Sequence, residues 1–257
     1  MSRQFGLIGF PISHSFSGRY FKDKFKKENF PDCHYDLFPL PHIQEFDALL
    51  KNNRDLEGLN VTIPYKIAIL PFLHELSAEA KAIGAVNCIK LKNGFLTGYN
   101  TDAEAFIAIL KSYKRPAQNK AIVFGSGGAA KAVCFALQTL EIEFILVARS
   151  PHTNFVSSIT YKELMPGRFE SHPLVINCTP VGMASILERE LPIPYEGIGL
   201  QNTFIDLIYN PPQTVMMKKM MDLGAEVHNG YEMLCLQAEI SWKIWNGIKG
   251  EEKPRIM

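Results

Sequence analysis

The chain has 257 residues, 47% apolar and 21% charged, and its 27 Lys+Arg against 26 Asp+Glu leave a formal charge of +1. So even a balance excludes a strongly basic nucleic-acid binder and an acidic disordered tail, and the near-average apolar and charged fractions argue against long disorder. The length suits one large or two ordinary α/β domains, which bury a core without disulfide or metal staples.

Taken in chain order, short apolar runs alternate with helical patterns. Phe5–Gly9 reads as a strand, Ser17–Lys27 as an amphipathic helix that spaces Tyr20, Phe21 and Phe25 on one face. Tyr35–Phe38 reads as a strand, His42–Lys51 as a helix, and Leu59–Ile63 as a strand ended by Pro64. Short helical stretches follow around Ile67–Leu73 and Ala78–Ile83. Val86–Leu91 and Gly94–Tyr99 pair as a hairpin across Lys92-Asn93-Gly94, and Ala103–Tyr113 is a helix. In the second half Ala121–Phe124, Phe144–Ala148, Leu174–Cys178 and Phe204–Ile208 are strands that are apolar almost throughout. Such strands are buried on both faces, which predicts a parallel sheet with helical crossovers. Gly127–Leu140, Met216–Leu223 and Glu232–Ile248 read as helices.

The five cysteines (Cys33, Cys88, Cys134, Cys178, Cys235) are scattered and form no CxxC pair, so neither a disulfide framework nor a metal site is indicated. Cys134, Cys178 and Cys235 sit in apolar stretches and are expected to be small buried hydrophobes. No apolar run approaches the roughly 20 residues of a spanning helix. Pro11, Ser13 and His14 interrupt the N-terminal apolar stretch before an export signal can form. The expectation is a cytoplasmic monomer or homodimer that acts on a small molecule, with no nucleic-acid or membrane partner.

The sharpest local signal is Gly125-Ser126-Gly127-Gly128-Ala129, between a strand and a helix. Glycines there permit a tight turn and a close backbone approach to a pyrophosphate, while the first N–H groups of the helix point at the anion. The alternative is a glycine-rich helix entry made only for close packing. The next strand ends at Ala148-Arg149 with no acid to take the ribose hydroxyls of NAD. An arginine grips a phosphate through paired hydrogen bonds, so NADP is favoured.

Four motifs of the first half are polar at strand ends: Gly9-Phe10-Pro11-Ile12-Ser13-His14-Ser15-Phe16-Ser17, Asn60-Val61-Thr62-Ile63-Pro64-Tyr65-Lys66, Gly84-Ala85-Val86-Asn87 and Gly98-Tyr99-Asn100-Thr101-Asp102. Each has a plain structural reading; Ser15, Ser17, Thr101 and Asp102 all suit helix caps. Together they offer hydroxyls, amides, one amine and one carboxylate where open α/β sheets bind ligands. The set suits a small polyhydroxylated acid, with Lys66 and Asp102 to move a proton.

With these motifs in order, followed by GSGGAAKA, NCTPVGM, DLIYNPPQT and GYEMLCLQAEISW, the chain resembles the shikimate dehydrogenase family over nearly its whole length. The resemblance implies an NADP-dependent oxidoreductase that reversibly reduces 3-dehydroshikimate to shikimate in chorismate and aromatic amino-acid biosynthesis. It implies two α/β domains. Residues 1–101 with about 233–257 would bind substrate, and 102–232 would form a Rossmann-like NADP domain whose C-terminal helices return to the first. Carried over residue by residue, it makes Lys66 and Asp102 the catalytic pair. Ser15 and Ser17 would hold the substrate carboxylate, and Asn60, Thr62, Asn87 and Gln237 its ring hydroxyls. Tyr209 would reach the substrate from the cofactor domain. Gly125, Ser126, Gly127, Gly128, Ala129 and Arg149 would hold the NADP phosphates, with Asn177, Thr179, Met183 and Gly230 bordering the nicotinamide; no metal is implied. The chain departs from the family pattern at Gly18-Arg19, at Ala103-Glu104 after the aspartate motif, and at Ala148 and His152-Thr153 around the cofactor arginine. Two other readings remain at this point: an NAD-using quinate/shikimate dehydrogenase and a non-catalytic sensor of the same metabolites.

Overall fold

The computed structural model describes residues 2–13, 15–113, 115, 117–150, 157–184 and 190–248; His152 and Thr153 lie outside them. The chain forms two compact units, one of Met1–Thr101 with Cys235–Met257 and one of Asp102–Leu234.

The first unit is built on β1 (Arg3–Gly9), β2 (Cys33–Pro39), β3 (Leu56–Val61), β4 (Glu75–Leu76), β5 (Cys88–Lys92) and β6 (Phe95–Tyr99), in the order β2-β1-β3-β5-β6-β4. β2, β1 and β3 run parallel, whereas β5 is antiparallel to both β3 and β6. The hairpin turn falls at Asn93 and Gly94, both with positive φ. α1 (Phe16–Lys27) buries Tyr20, Phe21 and Phe25, the face expected from their spacing. These rings meet α9 (Tyr231–Asn246), the last helix among the described residues. Trp245 stacks on Phe5 at 4.9 Å, tilts against Phe21 at 5.4 Å, and donates its indole N–H to the Ile89 carbonyl at 3.0 Å. An aromatic residue so enclosed carries the docking of the C-terminal segment. Trp245→Ala is expected to cost about 3–5 kcal/mol in the first unit, read as an earlier transition in urea.

The second unit holds β7 (Lys120–Phe124), β8 (Glu143–Ala148), β9 (Ser158–Thr160), β10 (Leu174–Asn177), β11 (Thr203–Asp206) and β12 (Glu226–Asn229), in the order β12-β11-β10-β7-β8-β9. Every adjacent pair is parallel. β10 and β11 are buried at each position, as strands covered on both faces must be. The chain runs outward from β7 to β8 and β9, then returns to the other side of β7 as β10. That reversal is the place where open parallel sheets take ligands, beyond the carboxyl ends of their strands.

Several elements differ from the sequence expectations. The helix expected over His42–Lys51 divides into a 3-10 turn (Ile43–Glu45) and α2 (Phe46–Asn52). The stretch around Ile67–Leu73 is the single turn α3 (Tyr65–Ala68) followed by a 3-10 turn. β3 stops at Val61, so Thr62 lies just past the strand that was expected to hold it. Cys178 is half-buried, not enclosed like Cys134 and Cys235, because it follows the end of β10. Among the described residues no helix is long and apolar enough to cross a membrane.

Candidate active site

In the first unit the sheet register brings the polar motifs to one edge. Ile8 pairs with Val61, Asn60 with Cys88, and Cys88 with Tyr99. The carboxyl ends of β1, β3 and β6 and the start of β5 therefore coincide. From that edge extend the loop to Ser15 and Ser17, the Thr62–Lys66 turn, Asn87, and the segment Asn100-Thr101-Asp102.

A buried polar network ties these segments together. Asn60 is 4% exposed and Asn87 is 2% exposed. The Asn87 carboxamide accepts from the Thr101 N–H at 2.7 Å and donates to the Thr101 hydroxyl at 2.9 Å, so it caps α5 (Thr101–Tyr113). It also donates toward Gln237 Oε1 on α9, at 3.5 Å. Asn60 donates to Ser241 Oγ at 2.9 Å and to the Asn87 carbonyl at 3.3 Å. Its own Oδ1 accepts from the Tyr35 phenol at 2.8 Å. Burial pushes the Tyr35 pKa well up and keeps the phenol neutral, and Ser17 lies near it. The fold thus brings Ser17, Asn60, Asn87 and Gln237 together. Ser15 has the structural task its type suggested: it is the N-cap of α1, and Oγ accepts from the Ser17 N–H at 3.3 Å. Thr62 and Lys66 are half-buried, Thr62 just past β3 and Lys66 in α3. The Lys66 carbonyl accepts from the Val86 N–H at 2.8 Å, which anchors that turn beside Asn87. Asp102 is 5% exposed in the first turn of α5, where a helix N-terminus favours a carboxylate.

In the second unit the cofactor candidates fall in one row at the carboxyl ends of five parallel strands. Phe124 pairs with Val147 and Asn177, and Asp206 pairs with Asn177 and Asn229. Beyond these ends lie Gly125–Ala129, Arg149, Thr179, Tyr209 and Gly230. Gly125 has φ +102, a conformation that favours glycine. Gly127 is the N-cap of α6 (Gly128–Thr139), whose first N–H groups have no partner within the helix. Arg149 is exposed immediately after β8, and Met183 is also exposed. A tight glycine turn, a helix N-terminus and an exposed arginine at the neighbouring strand end fit a dinucleotide with an additional phosphate.

Gly230 is required by close approach. A Cβ there would collide with the Leu207 carbonyl oxygen, while the Gly230 N–H donates to the Ile208 carbonyl at 3.1 Å. Gly230→Ala must push away the segment that leads to Tyr209. A destabilisation of about 1–3 kcal/mol is expected, read as a lower melting temperature together with reduced activity.

Three site residues were not singled out from the sequence. Tyr35 lies on an edge strand, Ser241 lies inside a long helix, and Asp206 ends an apolar strand. Asp206 was visible only as the first letter of DLIYNPPQT.

Comparison with known proteins agrees with this geometry. A family model described as the shikimate dehydrogenase substrate binding domain matches residues 7–89. A protein of Caldanaerobacter subterraneus subsp. tengcongensis named shikimate dehydrogenase (NADP(+)) is 34% identical, covering 96% of this chain and 92% of its own. The crystal structure of shikimate dehydrogenase 1 from Peptoclostridium difficile superposes with a TM-score of 0.85 at 33% identity, covering 97% of this chain and 94% of that one. Shikimate 5-dehydrogenase from Thermus thermophilus, solved in complex with NADP(H) and shikimate, superposes with a TM-score of 0.84 at 29% identity, over 95% and 94% of the two chains.

Proposed function

This chain belongs to the shikimate dehydrogenase family, and from that premise we propose that it catalyses the reversible NADPH-dependent reduction of 3-dehydroshikimate to shikimate, with Lys66 and Asp102 as its proton-handling pair. It is an NADP-dependent oxidoreductase. In this reading the unit of Met1–Thr101 with Cys235–Met257 holds substrate and the unit of Asp102–Leu234 holds cofactor. The observation that carries it is the buried network of Asn60, Asn87 and Gln237 at one sheet edge, which holds several amides in fixed orientation, as selective binding of a ring bearing several hydroxyls requires.

NADPH, when bound, supplies the hydride. The protein's own work is to orient the ring and to place a proton at the reacting oxygen. Ser15 and Ser17 donate to the substrate carboxylate at the head of α1. Asn60, Thr62, Asn87 and Gln237 address its hydroxyls, and Tyr209 contributes a phenol. The Lys66 ammonium stabilises negative charge as it develops on the ketone oxygen and then delivers a proton from Nζ to that atom. In the oxidative direction the same nitrogen takes the proton back. Asp102 orients the ammonium and accepts from a ring hydroxyl. Gly125–Ala129 and the first N–H groups of α6 would hold the pyrophosphate, Arg149 the additional phosphate, and Asn177, Thr179, Met183 and Gly230 would border the nicotinamide.

The test mixes the purified chain with shikimate and either NADP or NAD and follows the absorbance of the reduced nicotinamide. Fast reduction of NADP and slow reduction of NAD is the expected result. Equal or faster reduction of NAD would overturn the role of Arg149, and reduction of neither would overturn the activity.

A further inference from the structure

Asp206 is fully enclosed at the end of β11 and has no part in the chemistry above. We infer that Asp206 is a positioning residue for the cofactor: its carboxylate sets the orientation of the Asn177 amide, which holds the Thr179 turn against the glycine loop. The inference deepens the assignment of this unit to NADP and rests on it.

The argument is one of donors and acceptors. Asp206 Oδ1 accepts from Asn177 Nδ2 at 3.0 Å and from the Ile208 N–H at 3.1 Å, and Oδ2 accepts from the Thr214 hydroxyl at 2.8 Å. An ionised carboxylate only accepts, so Asn177 must present its NH2 to it. The other N–H of that group reaches the Val181 carbonyl at 3.4 Å, and Asn177 Oδ1 is thereby turned toward Thr179, where it accepts from the backbone N–H at 3.0 Å and from the hydroxyl at 2.7 Å. The Thr179 hydroxyl oxygen in turn accepts from the Val181 N–H at 3.2 Å. The turn so fixed lies on the phosphate loop: a Cβ at Gly125 would stand 3.1 Å from Thr179 Cγ2 and 3.3 Å from the Cys178 carbonyl carbon. With the amide reversed, an NH2 group would face the Thr179 N–H, two donors with no acceptor, and the turn would open.

Ionisation of this carboxylate brings no gain in stability over its protonated form. Burial pushes its pKa up to about 6, against the hydrogen bonds from Thr214, Ile208 and Asn177 that pull it down. A folded-state pKa above the unfolded one contributes stability at acid pH that is lost as pH rises through about 6, so the ionised form contributes less to folding than the protonated form. The residues packed on it, Asn177 from β10, Asn229 across the β12 register, and Thr214 ahead of α8 (Val215–Asp222), carry no charge to offset that cost.

Asp206→Leu tests this, because it fills the same space and removes the acceptor that faces the Asn177 NH2. Fluorescence titration should show the Kd for NADP raised at least about tenfold, the order of a lost hydrogen bond to a charged group. The Kd for shikimate should stay within about twofold, and a cooperative melting transition should show that the variant folds. Asp206→Glu keeps the charge but displaces it by a methylene, and the same selective loss is expected. Unchanged NADP affinity in either folded variant, or an equal loss for both ligands, overturns the inference. A wild-type chain that fails to bind NADP would instead sink the cofactor assignment itself, and this inference with it.

Discussion

Lys66→Ala is expected to lower turnover at least about a hundredfold, the low end for general acid–base catalysis. The size follows from what the side chain is asked to do. When a hydride adds to the ketone carbon, the C=O π pair moves to the oxygen, which becomes an alkoxide unless a proton arrives; in the proposed mechanism Lys66 offers both a positive charge and that proton. The fold should survive the change, since alanine is a strong helix former and the anchoring contact of α3 is made by the backbone carbonyl of residue 66. The shikimate KM should rise far less than kcat falls, as for an interaction made mainly in the transition state. Steady-state kinetics in both directions make the measurement. Near-normal turnover would remove Lys66 from the mechanism.

The parts of this molecule that the sequence made legible share a physical character. β7, α6 and β8 were readable because strands covered on both faces are apolar at nearly every position and because the turn between them needs glycine at a positive φ. α1 was readable from the helical spacing of its rings. β12 was not: Glu226-Val227-His228-Asn229 is a half-buried edge strand with polar residues on both faces, so no periodic signal survives. The site divides in the same way. Motifs at strand ends marked Asn60, Asn87 and the glycine loop, because their residue types are unusual there. Ser241 was hidden, since it matters through Asn60 and Thr101, 181 and 140 residues away in the chain. Tyr35 and Asp206 act through neighbours supplied by other strands, and an ordinary tyrosine on a strand or an aspartate at a strand end carries no local mark of that. The sequence resemblance supplied candidates for direct contact, whereas the groups that orient them emerged from three-dimensional hydrogen bonding.

Asp102→Asn should lose both turnover and substrate affinity, which sets it apart from Lys66→Ala. The side chain is buried in the first turn of α5, a location that stabilises a carboxylate, and the capping of Thr101 by Asn87 holds that turn in place independently of Asp102. An asparagine keeps the shape but not the charge. In the proposed mechanism it retains an acceptor for a ring hydroxyl, of a weaker kind, and removes the carboxylate that would orient the Lys66 ammonium. A hydrogen bond to a charged group contributes about 1.5–3 kcal/mol, or roughly 10–150-fold. The shikimate KM is therefore expected to rise about tenfold and kcat to fall at least about tenfold, so that kcat/KM drops by roughly a hundredfold or more. A second comparison separates the two tasks. In the Lys66→Ala background, Asp102→Asn should cost less in kcat than it does alone, because residues that act as a unit are not additive. A rise in KM with kcat intact would make Asp102 a binding residue only, and full additivity of the double variant would mean that the carboxylate and the ammonium work separately.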